Sequence, residues 1–326
     1  MPEEIINFLN RHSTFIITTH EKVDADGLGA EIAFAQICRD MGKNYRIINS
    51  GPIPELFVFL DKNKEIEIWE KAQEQYNFSH EEFALAMLDS SDEYNIGGLK
   101  NLIPLAREVF FIDHHDDDHL ELNGYRDSSA SSTSELIAEI AIAAGISLNS
   151  VSKDALYAGI VYDSGSFSYS KTTTRTFRIA LKLVEGGVIP NKIFHELNEC
   201  HSTGALLLHK QVFSTLEILN QGRVAVQILR KEALESSKAQ IDDAESFIND
   251  PLKARDVEVS VLVKENAEGQ VRCSLRSKGA VNVSKIAQAF GGGGHVAASG
   301  FKSGQSIEET LSNVLEKITA ALDKTS

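Results

Sequence analysis

The chain has 326 residues, of which 42% are hydrophobic and 24% are charged, and this length favours two domains over a single core. Its formal net charge of −15 argues against a protein that coats long nucleic acid, because such binding depends on many lysine and arginine contacts to phosphate. No apolar run approaches the roughly 20 residues of a membrane span, and the N-terminus lacks the basic start of a signal peptide. We therefore expect a cytoplasmic protein whose scattered cysteines are buried thiols, namely Cys38, Cys200 and Cys273.

The first half of the chain alternates between strand-like and helix-like segments. A β-branched run at 14–19 is followed by apolar residues at helical spacing from Leu28 to Met41. Further strands are predicted at 45–49, 84–88 and 109–112, with helices between several of them. Continuous apolar strands separated by helices indicate an α/β domain with a doubly wound, mainly parallel sheet and helices on both faces.

Acidic and imidazole side chains follow three of these strands. In parallel sheets, ligands bind outside the carboxyl ends of the strands, so we expect these side chains to lie together. The candidate set, which includes one acid after a later helix, is His20, Asp24, Asp26, Asp89, Asp113, His114, His115 and Asp163.

Such a set indicates a two-metal hydrolytic centre. Each motif alone is also compatible with a helix cap or a turn, and only the combination carries the prediction. Asp24, Asp26, Asp89 and Asp163 would repel one another unless two divalent ions neutralised them. The histidines favour Mn²⁺, with Mg²⁺ or Co²⁺ as substitutes. Two ions about 4 Å apart can hold a bridging hydroxide for attack at phosphorus.

Later segments change character. Helices are predicted at 133–144, with Ser131 or Ser132 as the N-cap, and at 154–161 and 174–185. Strands follow at 224–229, 257–263 and 271–275, and helices at 283–290 and 307–322. We therefore expect a catalytic domain at 1–188, a helical connector at 189–222 and a smaller α+β domain at 223–326.

The last domain contains a basic, glycine-rich stretch. Between Gln270 and Ser303 there are five basic residues and no acid, which suits a small anionic substrate better than a polymer. Four consecutive glycines at 291–294 precede His295, and their amides could form an anion-binding nest. A flexible loop is the alternative interpretation.

The ordered motifs, from His20-x3-Asp24-x-Asp26 through Asp113-His114-His115 to Gly291–His295, resemble the DHH phosphoesterase superfamily with its DHH-associated C-terminal domain. The similarity covers nearly the whole chain and is greatest to the branch of nano-RNases and 3′-phosphoadenosine 5′-phosphate (pAp) phosphatases.

The resemblance implies a role for each candidate residue. One Mn²⁺ would be bound by His20, Asp24 and Asp89, and the other by Asp26, Asp89, His114 and Asp163. Asp113 would orient the histidines, and His115 would face the scissile phosphate. The implied substrate-binding residues are Ser274, Arg276, Gly291, Gly292, Gly293, Gly294 and His295.

This chain departs from the family pattern at several positions. Val23 and Ala25 replace a common Pro and Gly, no basic residue lies between Asp89 and Asn95, and the acids 116–118 follow His115. None of these changes removes a candidate metal ligand, but they leave the substrate preference open.

The expected function is Mn²⁺-dependent hydrolysis of very short oligoribonucleotides to 5′-mononucleotides and of pAp to AMP. Alternatives are a phosphodiesterase for cyclic or linear dinucleotides, a single-strand-specific exonuclease, an inorganic pyrophosphatase and, as a non-enzyme, a nucleic-acid-binding module. The apolar run at 206–208 could serve internal packing or a homodimer contact.

Overall fold

The computed structural model describes residues 3–116 and 122–323, and for His295 the backbone only. The predicted acids Asp117 and Asp118 lie outside these residues. The chain divides into two units, Met1–Cys200 and His201–Ser326. The finer division with a separate connector at 189–222 stays a prediction.

The first unit contains seven α-helices and six strands among its described residues. The helices are α1 (Glu3–Arg11), α2 (Ala25–Asp40), α3 (Trp69–Gln75), α4 (Thr133–Ala143), α5 (Ser150–Asp163), α6 (Thr174–Glu185) and α7 (Pro190–Asn198). The strands are β1 (Thr14–Thr18), β2 (Asn44–Asn49), β3 (Ile66–Ile68), β4 (Ala84–Leu88), β5 (Val109–Asp113) and β6 (Gly124–Arg126). Short 3-10 segments lie at Glu55–Phe57, Phe78–His80 and Glu93–Leu105.

These six strands form one parallel sheet in the order β3-β2-β1-β4-β5-β6. The prediction of a parallel α/β domain is therefore confirmed. The strands β1 and β4 are neighbours, yet the chain continues from them towards opposite edges of the sheet. In doubly wound folds, this reversal is the place where ligands bind.

Side chains alternate between the two faces of this sheet, so each face has its own core. Ile17 and Ala86 belong to the larger core, together with residues of α1, α2, α4 and α5. Ile16 and Met87 belong to the second core, which is covered by α3 and by the 3-10 segments Phe78–His80 and Glu93–Leu105. Strands buried on both faces explain the continuous apolar runs in the sequence.

Helix α2 packs closely against its neighbours because it carries glycine at the contact. A Cβ atom at Gly29 would lie 2.6 Å from the carbonyl oxygen of Ala155 and 2.6 Å from Oγ of Ser134. This close approach brings the N-terminus of α4 beside the first turn of α2.

The second unit is a mixed sheet with helices. Its helices are α8 (Thr203–Phe213), α9 (Lys231–Ser237), α10 (Val283–Gln288) and α11 (Ile307–Leu322). Its strands are β7 (Glu217–Leu219), β8 (Val224–Leu229), β9 (Val259–Glu265), β10 (Val271–Ser277), β11 (Gly293–His295) and β12 (Ala298–Ser303). The 3-10 segments are Asn220–Gly222, Ile241–Ala244 and Phe247–Lys253. Strand order is β11-β12-β10-β9-β8-β7, in which only the β8 and β9 pair is parallel.

The three cysteines are free thiols, but one expectation about them is wrong. Cys38 and Cys273 are buried, whereas Cys200 is exposed. Cys200 follows the end of α7 and precedes α8, outside the apolar face of either helix, so no core encloses its sulfur. Among the described residues, no helix has both the length and the apolar character that crossing a membrane requires.

Candidate metal centre

The candidate residues of the first unit meet at the carboxyl edge of its sheet. His20 follows β1, Asp89 follows β4, and Asp113 ends β5 with His114 next in the chain. Because β1 and β4 are the neighbours at which the chain direction reverses, His20 and Asp89 lie at the expected binding position of this fold.

One group of possible metal ligands is formed by His20, Asp24 and Asp89. Nε2 of His20 lies 3.6 Å from Oδ2 of Asp24 and 3.4 Å from Oδ2 of Asp89. Asp24 is also the N-cap of α2, where its Oδ1 accepts hydrogen bonds from the amides of Asp26 and Gly27 at 3.0 and 3.1 Å. The cap leaves Oδ2 of Asp24 directed towards the histidine.

A second group combines Asp26, His114 and Asp163. Nε2 of His114 lies 3.0 Å from Oδ2 of Asp163, 3.8 Å from Oδ2 of Asp26 and 3.6 Å from Oδ1 of Asp89. The first turn of α2 supplies Asp26, and the last residue of α5 supplies Asp163. Asp89 therefore lies between the two groups and approaches both.

The backbone at Asp89 has an unusual conformation. Its φ is 59°, in the left-handed region that few non-glycine residues adopt. Its amide donates to the carbonyl oxygen of Ile112 at 2.9 Å, which continues the pairing of β4 with β5 beyond the strand end. This turn directs the carboxylate back across the strand ends.

The N-terminus of α4 holds two of the carboxylates. The amides of Thr133 and Ser134 donate to Asp26 at 2.7 and 2.8 Å, and the Thr133 hydroxyl donates to Asp89 at 2.9 Å. Helix N-termini have unpaired amides and attract negative charge. These roles were not predicted, although the N-cap at Ser132 indicates that the amides following it are free of helical partners.

His115 has a different environment. Its Nδ1 lies 2.7 Å from Oδ1 of Asp113 and 3.7 Å from Oδ1 of Asp89, and its side chain is 31% exposed. Asp113 is buried and also accepts from the amide of His115 at 3.2 Å. Lys171 donates to the carbonyl oxygen of His114 at 3.2 Å and so holds this turn from outside.

The carboxylates and histidines of this cluster shift one another's pKa values. Burial, with the charges of Asp89 and Asp163 added to it, raises the pKa of Asp26 well above its ordinary value. Burial acts to lower the pKa of His114, but the carboxylates led by Asp163 outweigh it and raise that pKa to about 10. The pKa of His20 is likewise raised well above its usual value, because the effects of Asp24 and Asp89 outweigh that of burial.

These side chains suit a cation at their centre. Both ring nitrogens of His114 are buried without a hydrogen-bond partner among the described residues, although Nε2 lies 3.0 Å from Asp163. His114 and Asp163 are thus close together without forming a hydrogen bond, as two ligands of one ion would be. Oxygen and imidazole ligands suit Mg²⁺, Mn²⁺ and related divalent ions.

The candidate substrate residues lie in the second unit. Ser274 and Arg276 are two residues apart on β10, so they share one face of the sheet, where Ser274 is opposite Gly300 on β12. Arg276 is half-buried, and its Nη1 donates to the carbonyl oxygen of Leu275 at 3.1 Å.

The last part of the glycine run is a strand and not the flexible loop of the alternative interpretation. Gly293–His295 form β11, which pairs with β12, and the amides of Gly291 and Gly292 donate to carbonyl oxygens of α10. Those two amides are therefore already paired and cannot belong to the predicted anion nest. Strands β11 and β12 form a tight hairpin, in which His295 is opposite Ala298.

Comparison with known proteins agrees with this architecture. Residues 14–160 match the DHH family N-terminal domain, and residues 221–324 match the DHHA1 domain. The chain is 29% identical over 322 residues to the probable bifunctional oligoribonuclease and PAP phosphatase NrnA of Streptococcus mutans, covering 96% of this chain and 98% of that protein. It is 26% identical over 305 residues to the Bacillus subtilis bifunctional oligoribonuclease and PAP phosphatase NrnA, with 92% of each chain covered.

A solved structure shares the fold of the whole chain. An exopolyphosphatase-related protein from Bacteroides fragilis has a TM-score of 0.89 and 24% sequence identity, with 99% of this chain and 95% of that chain covered. The two domain matches account for most of the sequence, in the order in which the two units occur. The chain therefore belongs to the DHH phosphoesterase family, whose members are metal-dependent hydrolases of phosphoester bonds, and it carries a DHHA1 domain.

Proposed function

We propose that this protein uses Mn²⁺ to hydrolyse very short oligoribonucleotides to 5′-mononucleotides and to remove the 3′-phosphate of pAp. The observation that carries this proposal is the position of Asp89, which approaches His20 of one ligand group and His114 of the other. The similarity to proteins named oligoribonuclease and PAP phosphatase over nearly their full length supports the substrate class.

The proposed ligands are His20, Asp24 and Asp89 for one ion, and Asp26, Asp89, His114 and Asp163 for the other. Bound divalent ions would supply positive charge to the phosphoryl oxygens and would lower the pKa of an attacking water. The imidazoles in both sets favour Mn²⁺ over Mg²⁺, and Co²⁺ would be a further substitute.

The protein itself would orient the reacting groups. The hydrogen bonds from the N-terminus of α4 would keep Asp26 and Asp89 in one orientation, so that the site is organised before substrate arrives. His115, exposed on one side and held by Asp113 on the other, would face the scissile phosphate and assist proton transfer to the leaving oxygen.

The second unit would select the substrate. Arg276 can bind a phosphate through its guanidinium, and Ser274 on the same face of β10 can donate a hydrogen bond. The backbone of Gly291–His295 would lie against the nucleotide. A binding surface with five basic residues and no acid between Gln270 and Ser303 suits a short anion, in a chain whose net charge is −15.

Initial rates test this proposal. Purified protein is given Mn²⁺ or Mg²⁺ and, in parallel, an RNA dinucleotide, a long single-stranded RNA, pAp and a cyclic dinucleotide. We expect rapid Mn²⁺-dependent cleavage of the dinucleotide and of pAp, and loss of both activities in Asp163→Asn. Preference for the long RNA would instead indicate an exonuclease, and turnover of the cyclic dinucleotide alone would indicate a dinucleotide phosphodiesterase.

A further inference from the structure

Arg126 lies beside the Asp113–His115 pair, on the next strand of the sheet. It is the last residue of β6, in register with Asp113 at the end of β5. The side chain is only 14% exposed, and its guanidinium lies over the ring of Phe111 with 5.5 Å to the centroid. A nearly buried arginine at the carboxyl edge of the sheet requires acceptors, because an unpaired buried charge is costly.

The acceptors of Arg126 lie in the loop after β4 and at the end of β5. Its Nη2 donates to Oγ of Ser91 and lies 3.8 Å from Oδ2 of Asp113. Nε is buried and has no hydrogen-bond partner among the described residues. Since the sequence from 89 to 95 contains no basic residue, Arg126 brings a cation to this loop from another strand.

The direction of these hydrogen bonds is set by chemistry. A guanidinium only donates, so Ser91 must accept from Arg126, and its own proton is then available for a different acceptor. The Asp113 carboxylate, whose Oδ2 lies 3.8 Å from the same Nη2 of Arg126, is the acceptor that we assign to this proton. Ser91 is itself buried, and this limits its exchange of partners with water.

His115 also donates to Asp113. An ionised carboxylate only accepts, so the 2.7 Å contact from Asp113 to Nδ1 of His115 requires the proton to lie on Nδ1. The neutral ring then has Nε2 as its basic nitrogen. The donors therefore converge on Asp113, with Nδ1 of His115 on one side and Ser91 and Arg126 on the other.

We propose that Ser91 and Arg126 are positioning residues that hold Asp113 in place and thereby set the ring orientation and tautomer of His115. This inference rests on the proposed function, since it concerns the histidine that would face the scissile phosphate. Among the described residues, the polar contacts of Arg126 go to Ser91 and Asp113 and not to the metal ligand groups described above, so the effect of these two residues on turnover would pass through Asp113.

Two matched pairs of variants test the proposal kinetically. Ser91→Ala removes the hydroxyl and Ser91→Thr keeps it, while Arg126→Met removes the charge and its donors and Arg126→Lys keeps a cationic donor group. For a dinucleotide with Mn²⁺, we expect the Ala and Met variants to lower kcat roughly 10- to 100-fold, with KM and bound metal nearly unchanged. The Thr and Lys variants should recover most of that loss. Wild-type kcat in Ser91→Ala, or equal loss in Ser91→Ala and Ser91→Thr, would overturn the inference.

A second measurement does not depend on turnover. Long-range ¹H–¹⁵N correlation spectra of the Mg²⁺-loaded protein, with the His115 signals identified by their loss in His115→Gln, report which ring nitrogen carries the proton. Under alkaline conditions we expect an Nδ1-protonated ring in the wild type and a shift towards Nε2 protonation in Ser91→Ala. An unchanged tautomer in Ser91→Ala would overturn the inference. This readout does not need activity, so a wild type that hydrolyses none of the proposed substrates would contradict only the proposed function.

Discussion

The Thr133 hydroxyl donates a 2.9 Å hydrogen bond to Oδ1 of Asp89, while the amide of the same threonine donates to Asp26 at 2.7 Å. One residue at the N-terminus of α4 thus joins carboxylates from the loop after β4 and from α2. This arrangement holds Asp26 and Asp89 at a fixed separation despite their mutual repulsion, which contributes to the raised pKa of Asp26.

Substitutions of Thr133 can test the hydroxyl contact to Asp89 alone, because the amide contact to Asp26 is kept. Thr133→Val keeps the amide and the shape of the side chain but removes the donor to Asp89. We expect affinity for Mn²⁺ and kcat to fall roughly 10-fold, because residues that support metal ligands usually have effects of that size. Thr133→Ser keeps the donor and is the matched control, so equal metal affinity in the two variants would contradict this role for the hydroxyl. Metal titration with dinucleotide hydrolysis measures both quantities.

Asp89 combines a proposed ligand role with a strained backbone. Both Asp89→Asn and Asp89→Ala should lower turnover on the order of 1000-fold, since each removes the carboxylate between the two ligand groups. Their stabilities should differ. Asparagine tolerates the φ of 59° and still accepts from Thr133, so Asp89→Asn should be more stable than Asp89→Ala by about 1–2 kcal/mol. Urea unfolding compares the two, and retained activity in either variant would remove Asp89 from the metal site.

In the glycine run of the second unit, close packing requires glycine at position 292 but not at position 293. At Gly292 a Cβ atom would lie 2.3 Å from the carbonyl oxygen of Gly300, whereas at Gly293 it would meet nothing within 4 Å. We expect Gly292→Ala to cost roughly 1–3 kcal/mol of stability by overpacking. Gly293→Ala should change stability by less than about 1 kcal/mol yet raise KM for a dinucleotide roughly 10-fold, if substrate lies against this backbone.

Thermal unfolding and steady-state kinetics on these two variants separate packing from binding. Gly293→Ala with wild-type KM would place the substrate away from β11. The comparison matters because the structure leaves the amides of Gly291 and Gly292 paired to α10, so backbone contact with a ligand would fall on the later glycines.

Much of the fold follows from local sequence signals. Helices α6 and α11 have the predicted bounds, and both begin at capping boxes, with Thr173 and Ser306 as the capping residues. Strand β4 is also as predicted, because a buried parallel strand is apolar throughout. Strands β6 and β11 were missed, since each has only three residues, which is too few to show a two-residue periodicity, and β11 includes two glycines.

Local sequence signals also predict part of the candidate site. His20 and Asp89 follow apolar strands, and parallel strands bring their carboxyl ends to one edge. Thr133 and Arg126 gave no such signal, because their contacts to Asp89 and Ser91 span 44 and 35 residues of sequence. Only the packing of α2 against α4, and of β6 against β5, brings those donors to the site.

Glu31 provides a test of electrostatics outside the proposed ligand set. It is fully buried on α2, where one oxygen accepts from Nδ2 of Asn49 at 2.9 Å and the other has no hydrogen-bond partner among the described residues. Burial raises its pKa from 4.5 to about 8, and the hydrogen bond from Asn49 only partly opposes the shift. Between these two pKa values the folded protein holds a proton that the unfolded chain has released.

This linkage fixes the sign of the pH dependence. The contribution of Glu31 to stability is fully present below pH 4.5 and is lost as the pH rises through about 8, because the unfolded state then binds fewer protons. Glu31→Gln cannot ionise. For the metal-free protein, we expect the stability of Glu31→Gln relative to wild type to increase by a few kcal/mol from acid to alkaline conditions and to level off above pH of about 8. Urea unfolding across this range measures the difference, and a pH-independent difference between the two proteins would show that Glu31 has an ordinary pKa.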